Sequence, residues 1–280
     1  MKKIISLSVV LLILACSNRD KSSDKVVGEE TKAKYDWKEK KLKDRIKTIT
    51  ETVYNIALIG SIDEVMSGKG EVKKGDKQLS STITVFDERG NIIEETEAKD
   101  IISLSGAITG KSQNKKKYTY KYDTSGNRVE KSIYHAEGTL WFTYYYKYDD
   151  KGNQIESAPD ENTLTKNIYK HDDKGSLIED IYILNGKQWS KKVFKYDLKG
   201  NIIEMQLFPD IEKGTPSSIT IYKYDDEGNE VETESHSPEG EIFIKYSYKY
   251  KYDKKKNWVI KIESINDKPN SFIEREIKYF

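Results

Sequence analysis

Tyr122-Asp123-Thr124-Ser125-Gly126-Asn127, running on into Arg128-Val129-Glu130, is one copy of a motif that opens again at Phe86, Tyr148, His171, Tyr196, Tyr224 and Tyr252. The motif aspartates, at 87, 123, 149, 172, 197, 225 and 253, are 36, 26, 23, 25, 28 and 28 residues apart. Self-similarity at such spacing marks a repeat architecture, in which each unit buries apolar surface only against its neighbours. In the copies after the first, a strand rich in alternate tyrosine runs into Asp-x-x-Gly-Asn and a second strand leaves through Val/Ile-Glu, with His171, Ser176 and Lys256 departing from the pattern as caps and bends do. The aspartate accepts a backbone N–H two residues on and the glycine supplies φ > 0, which predicts a hairpin closed by a type I turn and a bulge. Second turns at Ala136-Glu137-Gly138, Asn185-Gly186, Glu212-Lys213-Gly214 and Pro238-Glu239-Gly240 join one hairpin to the next.

The expected fold is all-β, an antiparallel β-meander repeat array of roughly fourteen strands forming a curled single-layer sheet or partial shell. Leu58 to Gln78, with four glycines, reads as a long loop, and residues 35–43 as a helical turn or an extended lead-in. Lysine occupies position 256, where the other six units place glycine, so strain of about 1 kcal/mol is expected there. Counting across the turn, Tyr122 lies opposite Arg128, Lys121 opposite Val129 and Tyr120 opposite Glu130. One face then carries a tyrosine ladder. The other carries Lys121, Lys147, Lys170, Lys195, Lys223 and Lys251, each facing a β-branched residue (Val129, Ile155, Ile178, Ile203, Val231, Val259). Neither face is consistently apolar, which argues against a two-sheet sandwich with a dry core.

At the start, Met1-Lys2-Lys3, the apolar run Ile4 to Leu14 and Ala15-Cys16 form a charged, apolar, small-residue sequence too short to span a bilayer. It reads as an export signal over 1–15. The Ile13-Leu14-Ala15-Cys16 quartet looks like a bacterial lipobox, with Cys16 as the lipid-attachment residue. Two or more acyl chains on Cys16 would anchor the protein stably in a membrane. Resemblance to bacterial lipoproteins with Ser17 after the cysteine implies the outer membrane. Residues 16–40 read as a polar tether and 41–280 as the repeat domain. Without Lys2 and Lys3 there are 46 basic against 47 acidic residues, a formal charge of −1 that gives no footprint for nucleic acid.

The repeated Tyr-Asp-x-x-Gly-Asn units, with segments such as Gly138-Thr139-Leu140-Trp141 before them, resemble the YD repeats of the RHS family over about residues 80 to 260. That resemblance implies a β-strand shell and an association with carbohydrate. Asparagine rather than the family's frequent arginine follows the glycine, the units are longer and no toxin module follows, so encapsulation does not carry over.

No catalytic constellation is present in the sequence, and no cofactor or metal is expected. His135, His171 and His236 are scattered among turns and strands. The acidic pairs Asp149-Asp150, Asp172-Asp173 and Asp225-Asp226 lack calcium-loop spacing, and turn capping accounts for their first member. Glutamates 94, 130, 156, 179, 204 and 232 recur once per unit, as a solvated row does and a catalytic pair does not. Aromatic rings with a polar tip suit contact surfaces, so the ligand-binding candidates are Tyr120, Tyr144, Tyr146, Trp141, Trp189, Tyr222, Tyr246 and Tyr248. The expected function is a non-enzymatic envelope lipoprotein binding a glycan or another envelope component. The alternative is a protein-interaction or immunity partner of an RHS-type toxin.

Overall fold

The computed structural model describes residues 35–59, 61–102, 108–160 and 163–280; the expected export signal, Cys16 and most of the expected tether lie outside the described residues. In chain order the elements are α1 (Tyr35–Glu39), β1 (Ile46–Ile59), α2 (Ile62–Ser67), β2 (Glu71–Phe86), β3 (Ile92–Ile102), β4 (Ile108–Tyr122), β5 (Arg128–His135), β6 (Leu140–Tyr148), β7 (Gln154–Ala158) and β8 (Lys166–His171). They continue as β9 (Leu177–Leu184), β10 (Lys187–Tyr196), β11 (Ile202–Phe208), β12 (Ser218–Tyr224), β13 (Glu230–His236), β14 (Ile242–Tyr252), β15 (Trp258–Ile265) and β16 (Lys268–Tyr279). Each strand pairs with its sequence neighbours, and β1 pairs with both β2 and β16. The meander is therefore a closed barrel of sixteen strands. An open, curled sheet was expected; closure follows because β1 extends far enough to bond along both edges, from Thr48 to Asn55 against β16 and from Thr48 to Ile59 against β2. The segment 58–78, expected as a loop, instead ends β1, forms the short helix α2 and begins β2.

The Asp-x-x-Gly-Asn turns have the expected form. In the second unit Asp123 Oδ1 accepts the backbone N–H groups of Ser125 and Asn127, Oδ2 accepts the Asn127 amide, and the Gly126 N–H closes on the Asp123 carbonyl. These bonds to its charged form hold the Asp123 carboxyl below the usual range, the Asn127 amide contributing most. Lys256 does adopt the left-handed conformation of the glycine it replaces, with φ 63°.

The register differs from expectation by one residue, and the difference reorganises the outer wall. Tyr122 faces Arg128 as expected, but Lys121 faces Glu130 and Tyr120 faces Lys131. The β-branched residue after Arg128 is the bulged one, so Val129 has no partner, and Ile155, Ile178, Ile203, Val231 and Val259 are left out of their ladders in the same way. Lysine consequently meets glutamate across the bulge: Lys121–Glu130, Lys147–Glu156, Lys170–Glu179, Lys195–Glu204 and Lys223–Glu232, each at 2.5–2.8 Å.

Tyrosine hydroxyls tie one unit to the last. Tyr120, Tyr148, Tyr196, Tyr224 and Tyr250 donate to the carbonyls of Ile92, Arg128, Leu177, Ile202 and Glu230, in each case the residue that leaves the preceding unit's turn. The turns themselves nest, since a Cβ on Gly175 would lie 2.9 Å from Asn153 Oδ1 and one on Gly152 3.5 Å from Asn127 Oδ1.

Residues 36–44 form a cross-bar over the end of the barrel where these turns gather. The Trp37 N–H donates to Gly90 O, its ring packs on Phe86 and its indole N–H donates to Ile46 O. Asp36 pairs with Arg128 at 3.2 Å and accepts the Ile92 N–H, while Arg128 also donates to Asn91 Oδ1. Farther along, Lys41 donates to Gly228 O at 2.7 Å and lies over the Tyr224 ring, and the Lys43 N–H donates to Asn257 Oδ1. The turns so contacted belong to β2–β3, β4–β5, β12–β13 and β14–β15, well separated around the ring, so the segment must cross the lumen and the tyrosine face must be the inner one. On the outer wall, α2 covers the apolar patch of Ile262, Phe272 and Tyr54.

Substitutions at Gly90 and Asp36 test the closed end, with Gly138 in an open-end turn as the reference. Alanine at Gly138, whose added Cβ meets nothing, costs about 1–2 kcal/mol for its left-handed φ. Alanine at Gly90 places a Cβ 2.6 Å from the Trp37 ring and costs a further ~1–3 kcal/mol of overpacking, read from urea unfolding. Asp36→Ala leaves Arg128 buried without its carboxylate and costs about 3–5 kcal/mol, most of it recovered in the Asp36→Ala/Arg128→Met double variant.

Candidate functional site

A ring of sixteen strands at ~4.8 Å spacing and a tilt of ~40° has a backbone diameter of roughly 30 Å, of which side chains leave roughly 20 Å. Accessibility along the inner wall grades from one end to the other. Near the cross-bar Phe86 is 2 % exposed, and Tyr118 and Tyr222 are each 8 % exposed. Towards the other end Tyr144 is 37 % exposed, and Asn114 and Ser112 are open to solvent. The molecule is a cup: closed where the Asp-x-x-Gly-Asn turns gather, open where the second set of turns lies. Strands β1 to β4 run past their neighbours, since β4 pairs with β5 only from Lys116 onward, so the mouth is cut at a slant.

The structure separates the candidate aromatic residues into three groups. Tyr120 and Tyr222 belong to the closed end, where Tyr120 bonds the Ile92 carbonyl and burial pushes the Tyr222 phenol up to about 12. Tyr144 and Tyr146 line β6, with Phe142 packed on Tyr144 at 4.6 Å between ring centres, and Tyr246 and Tyr248 stack nearly parallel on β14 at 6.5 Å. β6 and β14 are eight positions apart in the ring of sixteen, so these two aromatic surfaces face each other across the lumen. Trp141 and Trp189, 53 % and 60 % exposed, stand on the rim. Beside Trp141, residues Leu140, Phe142, Thr143, Tyr145, Pro159 and Asp160 line a shallow cleft of about 410 Å³.

A charged group below Tyr248 was not anticipated. Arg275 stacks on Trp258 with its guanidinium carbon 3.2 Å from the ring centre and donates from Nε to Glu51 at 2.9 Å. Lys261 lies over both Tyr248 and Trp258, each at 5.3 Å. It is deep in the barrel yet keeps some solvent-accessible surface, as a side chain lining a water-filled lumen does. Burial lowers the pKa of Lys261 and of Arg275 despite the neighbouring Glu51, and raises that of Glu230, the last opposed by the Thr233 hydroxyl and by Lys261 and Lys41. Part of this group was readable: Glu230 and Trp258, like Arg128 at the cross-bar, occupy the repeat position that elsewhere holds Ile92, Gln154, Leu177 or Ile202. Lys261 and Arg275 lie outside the motif, and nothing in the spacing marks them.

This wall combines aromatic faces, hydrogen-bond donors and carboxylate acceptors. Such a surface suits a ligand that is large, polar and partly flat. Among the described residues no cluster of metal-ligating side chains occurs.

The architecture has a counterpart among solved structures. A crystal structure of a porin-like protein from Bacteroides uniformis superposes with a TM-score of 0.52 at 11 % identity, covering 83 % of this chain and 98 % of that one. A crystal structure of TcdB2-TccC3-TEV aligns over 71 % of this chain and 13 % of that one at 12 % identity, with a TM-score of 0.20, a superposition too poor to carry a structural argument. No protein-family model and no curated protein sequence matches the chain. The first likeness shows the fold, an antiparallel closed barrel, and nothing of the activity.

The raised pKa of Glu230 makes a signed prediction. A carboxyl held above its ordinary 4.5 contributes stability that is present below pH 4.5 and is lost as pH rises through its folded value. Glu230→Gln removes that loss, so the variant's urea midpoint gains on the parent's as pH is raised from 4 to 8.

Proposed function

We propose that this chain is a non-enzymatic, water-facing barrel of the bacterial envelope, held at a membrane by lipid on Cys16, with its lumen as a binding chamber for carbohydrate or another envelope component. The observation that carries the reading is the polarity of the two walls. A barrel that spans a bilayer needs an outward apolar band about 25 Å tall, and a lysine facing lipid near the midplane costs about 2–4 kcal/mol. Here the outer wall carries the Lys–Glu pairs, with lysine side chains 58–71 % exposed. It adds Lys191, Lys166 and Lys245, each paired to a second oxygen of the same glutamates.

Such exposed pairs contribute at most about 1 kcal/mol each in water, so they favour a water-facing wall by solvation and give little stability of their own. Where the outer wall is apolar, at Ile262 and Phe272, the helix α2 covers it. The inner wall, in contrast, holds the opposed aromatic surfaces of β6 and β14 and the charged group around Lys261. A saccharide stacks its flat faces on such rings and exchanges hydrogen bonds with the mixed donors and acceptors beside them.

Two measurements check this reading. The chain beginning at Ser17 stays in the supernatant after ultracentrifugation without detergent and produces no conductance in planar bilayers; a detergent requirement or channel currents overturn the water-facing barrel. On a glycan array the same chain is retained, and Tyr144→Ala and Tyr248→Ala each weaken retention by about tenfold, the loss of one stacked ring or roughly 1.4 kcal/mol.

A further inference from the structure

Among the described residues, six of the seven most exposed large apolar side chains stand at the barrel's mouth. Leu140 and Trp141 follow the β5–β6 turn, Leu164 lies in the β7–β8 loop, Trp189 follows the β9–β10 turn, and Ile242 and Phe243 follow the β13–β14 turn. All six are 53–67 % exposed. Leu198, fully exposed in a closed-end turn, is isolated from them. Two of the six belong together physically, because the Gly186 N–H donates to the Leu164 carbonyl and so joins the β7–β8 loop to the turn before Trp189.

We infer that this rim rests on a lipid bilayer, so that the chamber opens onto the membrane surface. The inference builds on the reading of a lipid-anchored, water-facing barrel. An arc of separate hairpin tips, with lumen between them, matches an extended fluid surface better than it matches a single compact protein partner. Tryptophan favours the boundary between acyl chains and headgroups. Lys116, stacked 5.0 Å from the Trp141 ring, has the length to keep its ammonium among the headgroups while its stem lies against apolar surface. The charged pairs on the outer wall stop the barrel from sinking further.

The tether permits this orientation. Eighteen residues separate Cys16 from Tyr35, which stands at the closed end, and their greatest reach is about 61 Å. The longest wall strand, β2, has sixteen residues and at a tilt of ~40° rises roughly 40 Å. A lipid at Cys16 and a mouth facing the same membrane are therefore compatible. Acidic side chains such as Glu137 and Glu239 alternate with Lys187 and Lys116 near the rim, so attachment should depend little on the charge of the lipid.

The test uses the full lipidated chain in phosphatidylcholine vesicles whose acyl chains carry bromine, which quenches tryptophan on contact. Vesicles brominated close to the headgroup quench part of the fluorescence, equally with or without added anionic lipid and in high salt. Trp141→Phe with Trp189→Phe removes at least about two-thirds of that quenching, because Trp37 and Trp258 sit within the barrel. Emission identical in brominated and plain vesicles, or quenching unchanged in the double variant, overturns the rim contact and leaves the water-facing barrel standing. Equal quenching from bromine at the acyl-chain ends means that the wall has entered the bilayer, and overturns both. A detergent-purified chain that is a stable dimer with both rim tryptophans shielded assigns the rim to a second copy instead, and also overturns the proposal.

Discussion

β1 is hydrogen-bonded along both of its edges, and the rest of the structure depends on that. A meander of hairpins has two free edge strands, each a row of unpaired N–H and C=O groups that would template association. Pairing Thr48 through Asn55 with β16 and Thr48 through Ile59 with β2 removes both edges at once. Closure also divides the sheet into an inside and an outside, which an open sheet would not have. The tyrosine face becomes a lumen lining and the Lys–Glu face an outer wall. Charges on Glu274, Arg275 and Glu276, which on an open edge would discourage pairing, are instead distributed over the two faces of β16, with Arg275 turned inward to Glu51.

The repeats explain why one end is shut and the other open. Each tyrosine hydroxyl that reaches back donates to the carbonyl of the residue just before the previous unit's bulge, which ties neighbouring units together at that end. Asn127, Asn153 and Asn201 each pack against the next unit's glycine (Gly152, Gly175 and Gly228), which has no Cβ to hold it off. These links exist only at the Asp-x-x-Gly-Asn end, so that end is drawn together and can be spanned by the cross-bar. At the other end the turns vary in length and composition, and among the described residues they share no such repeated link, only local ones such as the Gly186 N–H bond to the Leu164 carbonyl, so the ring stays wide.

Much of this was legible in the sequence, and the failures have physical causes. Hairpins, the turn type, the left-handed Lys256 and the segregation of tyrosine from lysine all follow from local backbone rules, which act over a few residues. The register beyond the turn did not follow, because the bulge places its extra residue after the glycine rather than at it, and one residue's shift moves every later partner. Val129 is the case in point: counted as a partner for Lys121, it is the residue with none. Closure rests on contacts such as Ile49 with Ile277, separated by most of the chain, for which no repeat spacing provides evidence. The cross-bar is similar. Only Arg128, the single cation at its repeat position, signalled that a carboxylate such as Asp36 had to arrive from elsewhere, since a buried guanidinium needs a partner.

The likeness to a porin-like barrel sharpens the functional argument by contrast. Strand number and closure are shared properties of the backbone, whereas the solvent a barrel tolerates is decided by which side chains point outward. A transmembrane barrel pairs an apolar exterior with a polar interior. This chain has a charged exterior and an interior rich in aromatic rings. Burying the rings against one another would have required the walls to collapse, yet among the described residues the links across the lumen run through residues 36–44 at the closed end. Rings left on the inner wall away from that end are therefore partly wetted, and Tyr144 is the clearest instance. Apolar area kept in contact with water inside an enclosed space is what a ligand of matching shape would displace. The walls most suited to that exchange, β6 and β14, stand on opposite sides of the lumen and both lead to tips that carry the exposed rim. Chamber and rim thus share the same two strands, with Trp141 and Phe243 at the tips and Tyr144 and Tyr246 next along the inner wall.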